Sequence, residues 1–321
     1  MNADSTYLSP APLYHAAPLR FNMMAIVLGG TSIIMEHFDA EEFLKLVEKY
    51  KVTQSQLVPT MFVRMLKLPE EVRKRYDVSS LKGAIHAAAP CPVDVKAKMI
   101  EWWGPILIEY YAGSEGNGVT VSTSQQWLSH RGTVGRAVVG KIKILDENDA
   151  EVPVGQIGTV YMALAQANFE YKGDEAKTRA NRIFDEEAGV GFFTVGDVGE
   201  LDEDGYLFLR DRKIDMIISG GVNIYPAEIE AVLYEHPQVI DAAVFGIPDE
   251  EWGESVFAIV QPKPGETIDL AELRAFAAER LARYKQPRDY EIRDVLPRTD
   301  SGKLLKRVLR DEYWKDRETA V

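Results

Sequence analysis

From Leu296 to Lys303 the sequence reads LPRTDSGK, and its residue types set up a presented charge. Pro297 keeps a preceding strand from continuing, Thr299, Asp300, Ser301 and Gly302 are turn formers, and Lys303 opens the amphipathic run Leu304, Leu305, Val308 and Leu309. A lysine on such a tip can reach into a neighbouring domain. Upstream, YYAGSEG at 110–116 gathers an aromatic ring, a hydroxyl and a carboxylate. Ser114 can bond a phosphate oxygen, Gly113 permits close backbone approach, and Glu115 can hold Mg2+, which takes one or two carboxylates together with substrate phosphates. In FTVGD, Phe193 to Asp197, a glycine turns the end of an extended segment and presents a carboxylate, the group that accepts two hydrogen bonds from a cis-diol. His15 follows a strand-like segment bounded by prolines in PAPLYHAAPL, and Gly220 and Gly221 leave the backbone bare enough for a ligand to pass against it. Taken singly, each has a plain reading: a solvated helix cap, an ordinary turn, a structural histidine, a loop hinge.

The elements that must position these residues follow from pattern. Between residues 20 and 125 short apolar runs alternate with helical segments: Ala25 to Leu28, Thr31 to Met35, the helix Ala40 to Tyr50, Gln56 to Pro59, and Gly83 to Ala88. That alternation predicts the strands of a mostly parallel α/β sheet. From 130 to 210 the pattern changes to hairpins. Lys141 to Leu145 alternates charged and aliphatic residues, Gly158 to Leu164 follows a glycine-containing turn, and Gly199 to Leu209 reads as two strands joined by Asp204-Gly205. A further α/β unit begins after Arg212. Pro226 opens a helix carrying Ile229, Val232 and Leu233, with Asn223 to Glu230 read as building into it. Strands follow at Val239 to Phe245 and Ser255 to Val260, then a helix from Asp269 to Arg283 and a strand at Tyr290 to Val295. Gly135 to Ile142, GRAVVGKI, has phosphate-loop spacing up to its lysine, but Ile142 stands where a Ser or Thr would hold Mg2+, and the lysine leads into an alternating strand. It reads as structure.

A chain of 321 residues is long enough for about two domains. With 37 Lys+Arg against 50 Asp+Glu the net charge is -13, which disfavours nucleic acid and anionic membrane surfaces as partners. The single Cys91 excludes an internal disulfide framework or thiolate metal cluster, reads as a buried small hydrophobe, and predicts a reducing cytoplasm. The start, MNADSTYLSPAPLYH, has no basic segment followed by an apolar core, and the run Met23 to Met35 is broken by Gly29 and Gly30, so neither a leader nor a membrane span is predicted.

YYAGSEG, FFTVGDVGELDEDGYLFLRDR at 192–212, IISGGVNIYPAEIE at 217–230 and LPRTDSGK occur in the order, and at roughly the spacing, of the adenylate-forming enzymes. Together they resemble the acyl-CoA synthetase branch of that superfamily, from about Tyr7 to about Arg310. The resemblance implies an α/β fold: part of a large AMP-binding domain at 1–211, with a parallel α/β sheet at 1–127 and a β-rich part, a small β-barrel, at 128–211. A small mobile α+β C-terminal domain would occupy 212–321. It also implies site roles. Tyr111 lies beside adenine, Ser114 replaces a usual threonine on the phosphate, Glu115 is the Mg2+ ligand, and Asp197 and Arg212 contact ribose or phosphate. Ala88 and Ala89, in HAAAP at 86–90, form a small-residue turn against adenine and acyl chain. His15 lines the carboxylate pocket, Gly220 and Gly221 flank the pantetheine tunnel of coenzyme A, and Lys303 serves catalysis. ATP, AMP and coenzyme A would be the nucleotides, a carboxylic acid, fatty acids foremost, the substrate, and a homo-oligomer is open. The chain departs from the family pattern at Ala112, usually glycine, and at Ile214, where the hinge pivot is usually Asp or Lys. The family's Ser/Thr/Gly-rich phosphate loop would precede PAPLYHAAP and is not in this sequence, which thus resembles the C-terminal three-fifths of such an enzyme. A ligase using a carrier-protein thiol, a luciferase-like oxygenase and a noncatalytic fragment share the same motifs.

Overall fold

Strand and helix alternate through the first part of the chain because each short apolar strand is followed by a segment with helical spacing. The structure is a computed structural model and describes every residue except 114, 165–168, 187–188, 300–302 and 316–321. Strands β1 (Thr6–Ser9), β2 (Thr31–Ile34), β3 (Gln54–Leu57), β4 (Gly83–His86), β5 (Leu107–Tyr111), β6 (Val119–Thr123) and β7 (Arg136–Val139) form a sheet in the order β2-β1-β3-β4-β5-β6-β7. The first five are parallel; β6 and β7 add antiparallel. β7 thus joins this sheet although it follows the 127/128 boundary read from the sequence.

Helices α1 (Ala16–Val27), α2 (Ala40–Tyr50), α3 (Pro59–Leu66), α4 (Glu70–Arg75), α5 (Val93–Trp103) and α6 (Ser124–Ser129) connect the strands. In α2, Asp39 accepts the backbone N–H of Glu42 at 2.8 Å, and Phe43, Leu44 and Val47 bury one face. Ala25 to Leu28 is not a strand: its residues finish α1, where the Leu28 N–H bonds the Met24 carbonyl. A short apolar run fits either period, and here the helix begun at Ala16 extends through it, leaving Met23, Ile26 and Val27 exposed. α1 returns the chain to one side of β1 and α2 carries it to the other, so the strand order switches direction between β1 and β3. Open α/β sheets bind ligands outside the carboxyl ends of strands at such a switch.

A second sheet is antiparallel. Strands β8 (Lys141–Leu145), β9 (Gly158–Ala163), β10 (Arg182–Asp185), β11 (Val190–Phe193), β12 (Asp197–Leu201) and β13 (Leu207–Arg212) pair as β10-β11-β9-β12-β13, an open path among the described pairings, with β8 on β9. The short helix α7 (Glu175–Ala180) precedes β10. Side chains of β9 alternate between two apolar clusters, Val160 and Met162 with Leu207, and Tyr161 and Ala163 with Phe192. Lys141 of the GRAVVGKI segment opens strand β8 rather than a helix.

Among the described residues the contacts divide into a unit Met1–Leu209 and a unit from Arg210 onward. The second contains β14 (Ile217–Ser219), β15 (Val222–Ile224), α8 (Pro226–Glu235), β16 (Val239–Asp249), β17 (Gly253–Pro262), α9 (Leu270–Ala278), β18 (Asp289–Ile292) and α10 (Lys306–Trp314). Strands run β15-β14-β17-β16, with β18 parallel to β17. β16 buries both faces: Ala242 and Val244 pack with Ile229, Leu233 and Leu273, whereas Ala243 and Phe245 pack with Leu296 and Leu309. Two sequence readings change here. Asn223 lies in β15, paired with Ile218, and the helix starts only at Pro226. α9 ends at Ala278, short of Arg283; Pro287 disfavours helix before it, and a 3-10 turn at Arg283–Lys285 lies in between.

Candidate active site

The parallel strands β1, β3, β4 and β5 bring their carboxyl ends to one edge of the first sheet, and candidate residues follow three of them. His15 caps α1 after β1. Its ring lies 4.4 Å from that of Tyr14, and its buried Nε2 has no hydrogen-bond partner among the described residues. Ala88 and Ala89 follow β4 and are exposed. Ala88 has φ +79°, a left-handed conformation that strains an L residue by on the order of 1–3 kcal/mol and clusters at ligand-binding turns.

Tyr111 ends β5, and its hydroxyl donates to Asp197 Oδ2 at 2.6 Å. Asp197 is the first residue of β12 and is buried. The structure therefore joins two of the sequence candidates directly. Glu115, four residues beyond Tyr111, accepts a hydrogen bond from the Tyr171 hydroxyl at 3.2 Å. Burial first, then the charge of Glu115, raises the Tyr171 pKa. Phe169 stands edge-on to both Tyr171 and Phe193, at 4.7 and 5.9 Å, and Lys177 lies over the Tyr171 ring at 4.1 Å. Gly113 sits in a crowded spot: a Cβ there would meet Asn117 Oδ1 at 2.9 Å, Glu115 Oε2 at 3.0 Å and Val195 Cγ1 at 3.2 Å, so these side chains would have to give way. Asn117 is buried and donates to the Phe193 carbonyl at 3.2 Å, while its Oδ1 has no described partner. Ser114 lies outside the described residues. No three His, Cys, Asp or Glu among the described residues converge as a metal cage. A lone carboxylate such as Glu115 nevertheless suits Mg2+ bound mainly through substrate phosphates and water.

Behind this edge lies a buried charged group absent from the sequence reading. Lys96 Nζ meets Glu109 Oε2 at 2.5 Å with the lysine side chain fully buried, and lies 5.1 Å over the Trp127 ring. Glu109 pairs in register with His86 of β4. His86 is fully buried and both its nitrogens lack hydrogen bonds among the described residues; burial, then the charge of Lys96, holds its pKa well below the usual value and keeps it neutral. Cys91 is half-buried rather than a core residue, and desolvation pushes its thiol upward.

Within the second unit Arg212 ends β13 and is exposed. Asp211 accepts the Ala227 N–H at the start of α8 at 2.9 Å. Ile214 is 67% exposed, and its carbonyl accepts from Arg310 at 2.9 Å. At the position where the family usually has Asp or Lys, its apolar side chain is thus left in solvent. Gly220 and Gly221, with φ +57° and +79°, form the two-residue connection between β14 and β15. Two positive φ values in a two-residue hairpin are those of a type I′ turn, which explains Gly-Gly as turn chemistry. Lys303 is exposed and closes a short antiparallel pair: the Thr299 N–H donates to its carbonyl at 2.8 Å, and its own N–H donates to Thr299 Oγ1 at 3.1 Å. It does not open the helix, which begins at Lys306.

Comparison with known proteins identifies the family. The model of the AMP-binding enzyme family matches residues 1–168, and that of the AMP-binding enzyme C-terminal domain matches 228–303. A long-chain-fatty-acid–CoA ligase of Bacillus subtilis (strain 168) is 36% identical over 309 residues, 95% of this chain and 54% of its own. A feruloyl-CoA synthase of Amycolatopsis sp is 36% identical over 314 residues, 97% of this chain and 62% of its own. The crystal structure of ATP-bound MatB from Rhodopseudomonas palustris superposes with a TM-score of 0.81 at 30% identity, over 98% of this chain and 61% of that one. The chain thus spans between 54% and 62% of the length of these relatives. No described helix is long and apolar enough to cross a membrane. A family model that covers more than half of the sequence, and a fold shared with its solved members, place this chain in the AMP-binding enzyme family.

Proposed function

We propose that the chain supplies the adenosine-binding part and the C-terminal domain of an ATP-dependent ligase that joins a carboxylic acid to coenzyme A through an acyl-adenylate. The observation that carries this reading is the Tyr111–Asp197 hydrogen bond at 2.6 Å beside Glu115, at the carboxyl edge of a parallel sheet. Asp197 receives the ribose hydroxyls, and Tyr111 both orients that carboxylate and flanks adenine. The turn at Ala88 and Ala89 lies along the base and the acyl chain. Glu115, steadied by Tyr171, would hold Mg2+, whose chemistry is to neutralise and align the phosphates. Ser114 bonds a phosphate oxygen and His15 lines the pocket for the acid.

In the first half-reaction the acid's carboxylate attacks the α-phosphate and pyrophosphate leaves. Lys303 neutralises the charge shared by carboxylate and phosphate, a preorganised contact of the kind worth about 3–4 kcal/mol, and Arg212 adds a ribose or phosphate contact. In the second, the domain that carries Lys303 rotates, Gly220 and Gly221 line the path of pantetheine, and the thiolate of coenzyme A displaces AMP. Fatty acids are the proposed substrate class, in line with the long-chain-fatty-acid–CoA ligase relative. The 321-residue chain carries no Ser/Thr/Gly-rich phosphate loop ahead of His15, so on its own it binds the adenosine end without completing adenylation. Titration calorimetry with AMP tests the first part: heat of binding that CMP does not reproduce is expected, and a folded chain indifferent to AMP overturns it. Pyrophosphate release that depends on added carboxylic acid and vanishes in Lys303→Ala would overturn the second part, the incompleteness of the isolated chain.

A further inference from the structure

We propose that Arg298 and Lys306 are positioning residues for Lys303: two ion pairs buried within the second unit fix both ends of the turn that carries it. This rests on the reading of Lys303 as the adenylation lysine. Five residues before Lys303, the Arg298 guanidinium engages Asp241 of β16 through Nε at 2.6 Å and through Nη2, and Nη2 also meets the Tyr234 hydroxyl at 3.4 Å. Tyr234, on α8, donates to Asp241 Oδ1 at 2.7 Å, so the carboxylate has partners from two elements besides its own strand. Side-chain exposure in the Arg298–Asp241 pair is only 12% and 11%. Three residues after Lys303, Lys306 Nζ meets Glu230 Oε1 of α8 at 2.8 Å, and the same oxygen accepts the Val244 N–H of β16 at 2.8 Å.

Between the clamps the described residues 297–299 pair antiparallel with 303–305. The Leu305 N–H donates to the Pro297 carbonyl at 2.9 Å, Arg298 bridges Leu304, and Thr299 is doubly bonded to Lys303. Leu296 and Leu309, just outside, are anchored in the same apolar cluster, and Leu304 packs against it. Both clamps converge on α8 and β16, which pack together in one buried apolar cluster. An exposed lysine has a flexible four-carbon stem, so its backbone must be placed by something else if its ammonium is to meet a transient charge repeatedly. Pinning the chain on both sides does this without burying Lys303 itself. The bidentate Arg298 contact adds direction, which a single lysine contact does not.

The test is residue-resolved hydrogen exchange on the 321-residue chain. Asp241→Asn and Glu230→Gln remove one charge each at nearly unchanged shape. Exchange at the Thr299, Lys303 and Leu305 amides should quicken at least tenfold, while core amides of β17, such as Ala258 and Ile259, stay within about twofold, since only the hairpin is released. A Glu312→Gln control, which weakens the exposed pair with Arg293, should leave the hairpin rates unchanged. Should either charge removal prevent folding, Tyr234→Phe decides: it deletes one hydroxyl, keeps the ion pair, and should quicken the hairpin amides several-fold. Unchanged hairpin rates, or a rise of the same factor throughout β16 and β17, would overturn the assignment. Retention of adenylation by Lys303→Ala in an active form of the enzyme would instead remove the role of Lys303 and leave the exchange result standing.

Discussion

On the proposed reading Asp197 receives the ribose hydroxyls, and Asp197→Asn tests this by changing its chemistry with almost no change in shape. A carboxylate offers about four lone-pair sites, more than the bond from the Tyr111 hydroxyl at 2.6 Å uses. Two ribose hydroxyls can both donate to such a group. An asparagine converts one oxygen to a donor; the Tyr111 hydroxyl can turn to accept from that NH2, and the remaining oxygen can serve one ribose hydroxyl. One hydrogen bond to a charged acceptor is then lost, about 1.5–3 kcal/mol. At 1.4 kcal/mol per tenfold, this is roughly a 10- to 150-fold weaker AMP complex. Titration calorimetry of wild type and variant against AMP and against 2′,3′-dideoxy-AMP closes a cycle in which only the diol differs. The dideoxy ligand should bind both proteins alike, and the melting temperature should move little. If Asp197→Asn weakens AMP and dideoxy-AMP by the same factor, the carboxylate acts through the fold rather than on the diol, and the ribose assignment is wrong.

Two further outcomes follow from packing. Lys96→Met strands the Glu109 carboxylate in a site with 6% side-chain exposure and should cost about 3–5 kcal/mol by scanning calorimetry, whereas Lys96→Met combined with Glu109→Leu should recover most of that loss; a double variant no more stable than the single one would count against an uncompensated charge as the cause. At the Gly-Gly turn, a Cβ on Gly220 would come within 2.5 Å of the Trp252 ring, while Gly221 faces open space, so both alanine variants bear the strain of positive φ but Gly220→Ala should lower thermal stability clearly more; equal losses would mean that the ring simply moves aside.

What could be read in the sequence was whatever is encoded within a few residues. The helix Ala40 to Tyr50 was read with its observed bounds, and Asp204-Gly205 marked the β12–β13 turn, because helical spacing and turn residues are local. Local patterns also misled where two periods fit the same run. Ala25 to Leu28 is apolar in either reading, and its helical state depends on the turns of α1 before it. Asn223 and Ile224 read as the start of a helix until the Gly-Gly turn folds them back on β14. The motifs supplied Tyr111, Glu115 and Asp197 separately. Tyr171, Asn117 and Arg298 went unnoticed because what distinguishes them is a partner far along the chain: 56 residues from Tyr171 to Glu115, 76 from Asn117 to Phe193, 57 from Arg298 to Asp241. No periodicity records such pairings.

The acidic residues show how much such partners decide. Asp197 and Glu115 receive neutral tyrosine hydroxyls, whereas Glu109 and Asp241 face cations with which they are buried. A neutral donor orients a carboxylate but leaves its charge for an incoming diol or cation, while a buried lysine or arginine neutralises it locally. Burial alone does not separate the two kinds, since Asp197 is as buried as Asp241, each 8% exposed. On the proposed reading the first pair serves ligand binding, while the second holds elements of the fold together. The calorimetric experiments above separate the roles: Asp197→Asn should change AMP affinity with little change in melting temperature, and Lys96→Met, by stranding Glu109, should lower the melting temperature of a chain whose folded fraction still binds AMP.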